Sequence, residues 1–390
     1  MEEVIDRTPG LAPDHLTVHE RLRAAGYHTA AFGKIHMMPD RGFDTMQVTG
    51  GKGARWTQST GLPIGPGPLG PQYAAWLEAR CPGGYERIYE ERRRPEYRQN
   101  HTALPFPLPA ALHVETWIGN NVVEFLENPP AQPWFVWCGF TGPHPPLDVP
   151  PEYLDRYRPE DMPDPLEWTK DRRDRWLYRR RQPKAGTAEE LERARLWIAY
   201  YHALVDFIDD QVARIVEVLD RRNLWDNTLV LMTSDHGEMR GDFGLYGKGN
   251  FYEAVAHVPA VVVPPGGQCK CGRFSGLVEM FDLAPTILDY AGLPIPGEMV
   301  AQSLRPELET GRGGRDAVFG DYVTNDQRTR GVYCRTATHK LVLWETQGEG
   351  RGGELYDLME DPHELHNRYA DPSMAALVEE LTNRIYARGL

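Results

Sequence analysis

Six residues stand where they could do chemistry together: Lys34, His36, His144, Asp235, His236 and Lys248. Asp235 and His236 follow the apolar run Thr228-Leu229-Val230-Leu231-Met232-Thr233 and Ser234. A carboxylate and an imidazole at such a turn can both face one divalent cation. Taken alone, the pair reads more plainly as a turn-capping aspartate and a satisfied, half-buried histidine. Lys34 sits in Gly33-Lys34-Ile35-His36, where an ammonium can set a point charge on an oxyanion. A solvated lysine is its rival. His36 can exchange protons near neutral pH. His144 is held between Pro143 and Pro145, which restrict the chain at little entropic cost. That suits a preset acid–base group, and equally a structural turn. Lys248, in Gly247-Lys248-Gly249, can reach back over the Asp-His turn or face water.

The choice between these readings rests on the elements that position the residues. Thr17-Val18-His19-Glu20 is a capping-box pattern, opening a helix that Gly26 should close. A short strand, Tyr27 to Phe32, then delivers Lys34 and His36. A helix from Val114 to Leu126 precedes the apolar strand Trp134 to Phe140, which delivers His144. Leu204, Ile208, Val212, Ile215, Val216 and Leu219 recur at helical spacing and predict one apolar helix face. The run Thr228 to Thr233 predicts a buried parallel strand. A strand at Val258 to Val263 and a helix from Asp282 to Tyr290, closed by Gly292, follow. Strands alternating with helices predict an α/β fold with a mainly parallel sheet sandwiched by helices. Ligands bind beyond the carboxyl ends of such strands. Lys34 and His36, His144, and Asp235 with His236 should therefore meet at one edge. That convergence tips Asp235 and His236 toward metal ligation.

Other stretches are quieter. Residues 50 to 110 lack periodicity and predict a long loop. Residues 150 to 182 look the same, and their arginines at 172, 173, 175, 179, 180 and 181 predict a solvated, mixed-charge surface. From about Arg315 short alternating segments such as Lys340-Leu341-Val342-Leu343-Trp344 predict a small antiparallel sheet, and Ser373 to Arg388 a final helix. The expected division is a catalytic α/β domain over 1–314 and a small α+β domain over 315–390. Asp209-Asp210 falls on the polar side of its helix, so a solvated face is expected there. His363-Glu364-Leu365-His366 lacks the spacing of a zinc helix and is expected at the surface.

The net charge of −13 gives no basic footprint for nucleic acid. It also repels an anionic substrate at long range, so attraction must come from a bound cation and nearby Lys and His side chains. No apolar run approaches the ~20 residues of a membrane span, and Met1 to Asp6 has no apolar signal core. A cytoplasmic protein is expected, or one whose true start is missing. The 5 scattered cysteines outline no disulfide framework, and Cys269-Lys270-Cys271 reads as two loop thiols.

Several segments, in order, resemble the landmarks of the sulfatase family, in the alkaline phosphatase superfamily. Gly26 to His36 (GYHTAAFGKIH) resembles its second signature, and Gly42-Phe43-Asp44 follows it. Gly139 to Pro146 (GFTGPHPP) is similar to its His-x-Pro segment, and Leu229 to Glu238 (LVLMTSDHGE) to its metal-binding strand and turn. GLYGKGNFYEAVAHVPAVV, FDLAPTILDYAGLPIP and GELYDLMEDPHELHN resemble later landmarks. The resemblance implies a hydrolase of sulfuric esters acting on a small anionic sulfate ester. It implies a divalent cation, calcium in most members, with manganese or zinc as alternatives, and a formylglycine nucleophile made from Cys or Ser. Carried over, Asp235 and His236 are metal ligands, and Lys34 and Lys248 contact the sulfate. His36 helps regenerate the aldehyde, while His144 with Lys248 protonates the departing alcohol. Many members carry Asn where His236 stands, which opens the metal's identity and keeps a phosphate or phosphonate monoester hydrolase as the alternative. The family's paired metal-binding aspartates and its Cys/Ser-x-Pro-x-Arg nucleophile segment are not in the sequence. An incomplete enzyme is expected, with an anion-binding pseudoenzyme as its rival and oligomerisation left open.

Overall fold

Thr17 accepts the Glu20 N–H at 3.3 Å, and the Glu20 carboxylate accepts the Thr17 N–H at 2.9 Å. This is the expected capping box, and it opens α1 (Val18–Ala24). A computed structural model describes residues 15–35, 41–49, 71–166, 175–177, 186–267, 269, 272–324 and 326–390. The chain divides into two compact units: residues 1–163 with 190–225, and residues 164–189 with 226–390.

The first unit holds β1 (His28–Lys34), β2 (Thr45–Thr49), β3 (Ala103–Pro105), β4 (Trp134–Gly139) and β5 (Leu147–Val149). β1 lies between β2 and β4, parallel to both. Its Ala30, Ala31 and Phe32 are buried, as a central strand requires. β3 and β5 form a second parallel pair. The stretch expected to be a long loop instead carries α2 (Pro71–Arg80) and α3 (Gly84–Arg93). Their apolar contacts are few: Tyr73, Leu77, Tyr85, Ile88 and Tyr89 pack with Trp117 and Ile118 of α4 (Val114–Glu127). Dense Arg and Glu between these positions hide the period. The helix α5 (Ala188–Arg221) buries Trp197, Leu204, Phe207, Gln211 and Val218. Of the expected face Leu204 and Leu219 are buried, whereas Ile208, Val212, Ile215 and Val216 are only partly buried, so the buried face is rotated from it. Asp209 and Asp210 are exposed as expected, and Asp210 accepts the Tyr153 hydroxyl at 2.5 Å.

In the second unit, β6 (Val230–Thr233) pairs antiparallel with β7 (Ala260–Val263). The buried parallel strand expected there is corrected: an apolar run does not encode direction, and Met232 is 46% exposed. β8 (Ala317–Val323), β9 (Thr329–Thr336), β10 (His339–Thr346) and β11 (Gly350–Asp357) form the expected antiparallel sheet, in the order β11-β10-β9-β8. The final helix, α6 (Ala375–Ala387), packs Leu381 and Ile385 against Cys334, Leu341 and Leu355.

Two surface expectations fail in this unit. Arg175 is buried. Its guanidinium donates to Glu364 O at 2.8 Å, to Leu365 O at 3.0 Å and to the Tyr252 hydroxyl, and it lies 4.5 Å over the Phe243 ring. Glu364 is buried too, paired with Lys340 at 2.5 Å, while His363 and His366 are exposed. A charge run in sequence gives no sign of which member finds partners inside. The arginines at 172, 173, 179, 180 and 181, together with Lys270 and Cys271, lie outside the described residues. Among the described residues, no helix is long and apolar enough to cross a membrane.

Candidate functional site

Lys34 is the last residue of β1, and its position depends on two glycines. Gly33 has φ +87°, and a Cβ there would fall 2.1 Å from Gly139 O. A Cβ on Gly139 would fall 2.1 Å from Lys34 O. The two strand ends can approach this closely only without side chains. Trp137 Nε1 then donates to Lys34 O at 3.0 Å, fixing the backbone beneath the lysine. β4 ends at Gly139, and the chain turns through Thr141 to Pro146 with cis peptides at Gly142–Pro143 and Pro145–Pro146. His144 Nδ1 lies 2.6 Å from Pro145 O. A carbonyl only accepts, so Nδ1 holds a proton and Nε2 is the nitrogen that exchanges one. Because β1 and β4 are parallel neighbours, Lys34 and the His144 loop leave the same sheet edge. His36 lies outside the described residues.

The second unit gathers Asp235, His236 and Lys248. The Gly237 N–H donates to Val255 O at 2.8 Å and the Glu238 N–H to Ala254 O at 3.0 Å, so the turn after β6 is stitched to the segment 254–255. His236 Nδ1 lies 2.7 Å from Gly237 O and is protonated by the same reasoning. Its Nε2 lies 3.7 Å from Asp235 Oδ2 and against Lys248 Nζ. An imidazole whose Nδ1–H is held by a backbone carbonyl is oriented as metal-ligating histidines are. The donors therefore fit a divalent cation in kind. They fall short in number: calcium takes about six to eight oxygens, and no group of three or more His, Cys, Asp or Glu gathers among the described residues.

Two buried carboxylates escaped the sequence reading. Glu238 accepts the N–H groups of Gly247 and, at 3.4 Å, Arg240, and the Met239 N–H donates to Gly247 O at 3.2 Å. The loop carrying Lys248 is thereby tied to the Asp-His turn. Burial pushes the Glu238 carboxyl above its usual range, and the backbone donors pull it back. Glu115, in the first turn of α4, is fully buried and accepts from Thr141 and Gly142, at the start of the His144 loop. Only the Asp-His-Gly-Glu run hinted at Glu238, and nothing marked Glu115, because its donors, two backbone N–H groups and the Thr141 hydroxyl, are distant in sequence.

The sequence profile of the Sulfatase family matches residues 2–293. The chain belongs to the sulfatase family. A second profile, N-sulphoglucosamine sulphohydrolase, C-terminal, matches residues 241–388. An arylsulfatase of Clostridium perfringens (strain 13 / Type A) is 30% identical over 377 residues, covering 90% of this chain and 73% of the relative. The multifunctional alkaline phosphatase superfamily protein PehA of Trinickia caryophylli is 27% identical over 418 residues, covering 97% and 80%. Among solved structures, the phosphonate monoester hydrolase of Agrobacterium radiobacter has a TM-score of 0.76 at 24% identity, covering 98% of this chain and 82% of that one. That likeness establishes the fold: an alkaline phosphatase-like α/β core with a C-terminal antiparallel sheet.

Proposed function

We propose that this sulfatase-family chain is the larger part of a metal-dependent hydrolase of sulfuric esters. The observation that carries the reading is the packing of His236 Nε2, Asp235 and Lys248 Nζ at one turn, with His236 oriented through its Nδ1–H. Asp235 and His236 would hold the cation, calcium or manganese. When bound, it would neutralise charge on the ester and its nucleophile. Lys34 and Lys248 would pair with sulfuryl oxygens, as ammonium groups do with oxyanions. His144 would hand its Nε2 proton to the departing alcohol, and His36 would act as a base for a later step. The nucleophile and the remaining ligands would come from outside these 390 residues, since no Cys/Ser-x-Pro-x-Arg run and no strand-end aspartate pair occurs within them.

A phosphate or phosphonate monoester hydrolase is the second reading. His236 favours it, because an imidazole suits zinc better than calcium. The test is hydrolysis of 4-nitrophenyl sulfate and 4-nitrophenyl phosphate with added calcium or manganese. It compares the 390-residue chain with one extended upstream to include any encoded nucleophile segment. Sulfate cleavage by the extended chain alone is the expected result. A preference for the phosphate ester would move the function to the second reading. Cleavage of neither ester, in a gene with no upstream segment, would leave an anion-binding protein without catalysis.

A further inference from the structure

We propose that Glu115 is a positioning residue that sets the aim of His144. The Glu115 side chain is fully buried, and it reaches across to the turn that follows β4. Its Oε2 accepts the Thr141 N–H at 3.0 Å, and Oε1 accepts the Gly142 N–H at 2.7 Å together with the Thr141 hydroxyl. Every one of these donors belongs to the two residues that begin the turn into His144.

The far end of the turn is held from the same place. The Glu115 N–H donates to His113 Nδ1 at 3.1 Å. His113 Nε2 must then carry the proton, and it donates to Asp148 O at 3.0 Å. Asp148 sits in β5, just past Pro146, and its carboxylate pairs with buried Arg92. The start of α4 thus grips the His144 turn at entry through Glu115 and at exit through His113.

Such an arrangement is costly if it serves stability alone. A buried carboxylate loses hydration, and an apolar residue of like size often does as well. What the carboxylate supplies is direction: three donors converging on one group fix the path of Thr141 and Gly142. A misplacement of about 1 Å in an acid–base group costs about 100-fold in rate, so this is where rigidity would tell. The catalytic consequence rests on the reading of His144 as the proton donor to the leaving alcohol. The positioning itself does not.

The test uses Glu115→Gln, with Thr141→Val and Thr141→Ser as companions. The 390-residue chain is followed first by the ring signals of His144 and by amide exchange at Thr141 and Gly142. Glu115→Gln should move the His144 signals and speed exchange at both amides at least tenfold. Thr141→Val should give the same change in smaller measure, and Thr141→Ser, which keeps the hydroxyl, should restore the wild-type pattern. Should Glu115→Gln fail to fold, the Thr141 pair carries the comparison. A fall in melting temperature with unmoved His144 signals would overturn the proposal.

Kinetics of the upstream-extended chain then judge the consequence. Phenyl sulfate, whose leaving group needs a proton, should lose 10- to 100-fold in kcat with little change in KM. 4-Nitrophenyl sulfate, whose leaving group needs none, should lose only a few-fold. Equal losses on the two esters would overturn the role through His144. If no ester is cleaved by any preparation, the hydrolase reading falls while the spectroscopic result still decides the positioning.

Discussion

At Gly237 a single hydrogen separates the Asp-His turn from the chain opposite. A Cβ there would lie 2.0 Å from Ala254 O and 3.1 Å from Val255 Cα, both backbone atoms that cannot swing aside. The same glycine supplies the carbonyl that orients His236. Gly237→Ala should therefore cost about 1–3 kcal/mol, the range of overpacked sites, and loosen the turn. Urea denaturation checks the first effect and the His236 ring signals the second. Wild-type stability in this variant would mean that the turn is not held as described. Asp235, His236 and Lys248 were legible in the sequence because an acid, an imidazole and a Gly-flanked lysine after an apolar strand are local patterns. Glu238 and Glu115 were not. Each is defined by burial and by the donors that the fold brings to it, the Arg240 and Gly247 N–H groups for Glu238 and the Thr141–Gly142 turn for Glu115, and residue type alone does not show either.

Elements were legible to the extent that their apolar period was clean. β1, β4, α4 and the final helix fall within a few residues of expectation. α2 and α3 were lost under charge, and the direction of β6 could not be read from its composition. Buried charge was the other blind spot, and β10 shows why. Its Lys340 is fully buried among the apolar residues of the strand and serves two carboxylates, Glu253 at 3.0 Å and Glu364 at 2.5 Å, and Phe251 O at 2.6 Å. In sequence it is one lysine in an alternating strand. Burial raises the Glu364 carboxyl, and Lys340 opposes that rise. Burial would raise Glu253 as well, yet Lys340 brings it below its usual value. Lys340→Met leaves both carboxylates without their buried cation and should cost about 3–5 kcal/mol near neutral pH. Without Lys340 the Glu364 value climbs further above its unfolded one. A carboxyl so raised stabilises the fold below its unfolded pKa, and that contribution is lost as pH rises through the folded pKa. The deficit of Lys340→Met should thus be greatest near pH 7.5 and narrow toward about pH 5, as Glu364 takes a proton. Melting curves of wild type and variant at the two pH values check this, and a deficit independent of pH would remove Glu364 from the account.

At the scale of the whole molecule, the strand edges matter most. In the sheet β2-β1-β4, β4 has a strand neighbour on one side only, and β6 has only β7, among the described residues. Trp137 on β4 is 42% exposed. Met232 and Val261 face each other across the β6–β7 pair and are also exposed, so an apolar patch flanks an open ladder. Unpaired backbone beside exposed apolar side chains is a template for another strand. Under the proposed function, the segment that brings the nucleophile would cover such an edge. Without it, the 390-residue chain should associate with itself. Sedimentation velocity from about 1 μM to about 100 μM, the range in which exposed edges associate, should show a rising weight-average mass. Met232→Lys puts a charge on the patch without touching Lys34, His144, Asp235 or Lys248, and should shift the rise to higher concentration. Extension upstream through the nucleophile segment should abolish it by covering the edge in cis. A chain that stays monomeric throughout and melts cooperatively would mean that these edges are already satisfied, and the segment proposed to complete the site would have no strand left to pair with.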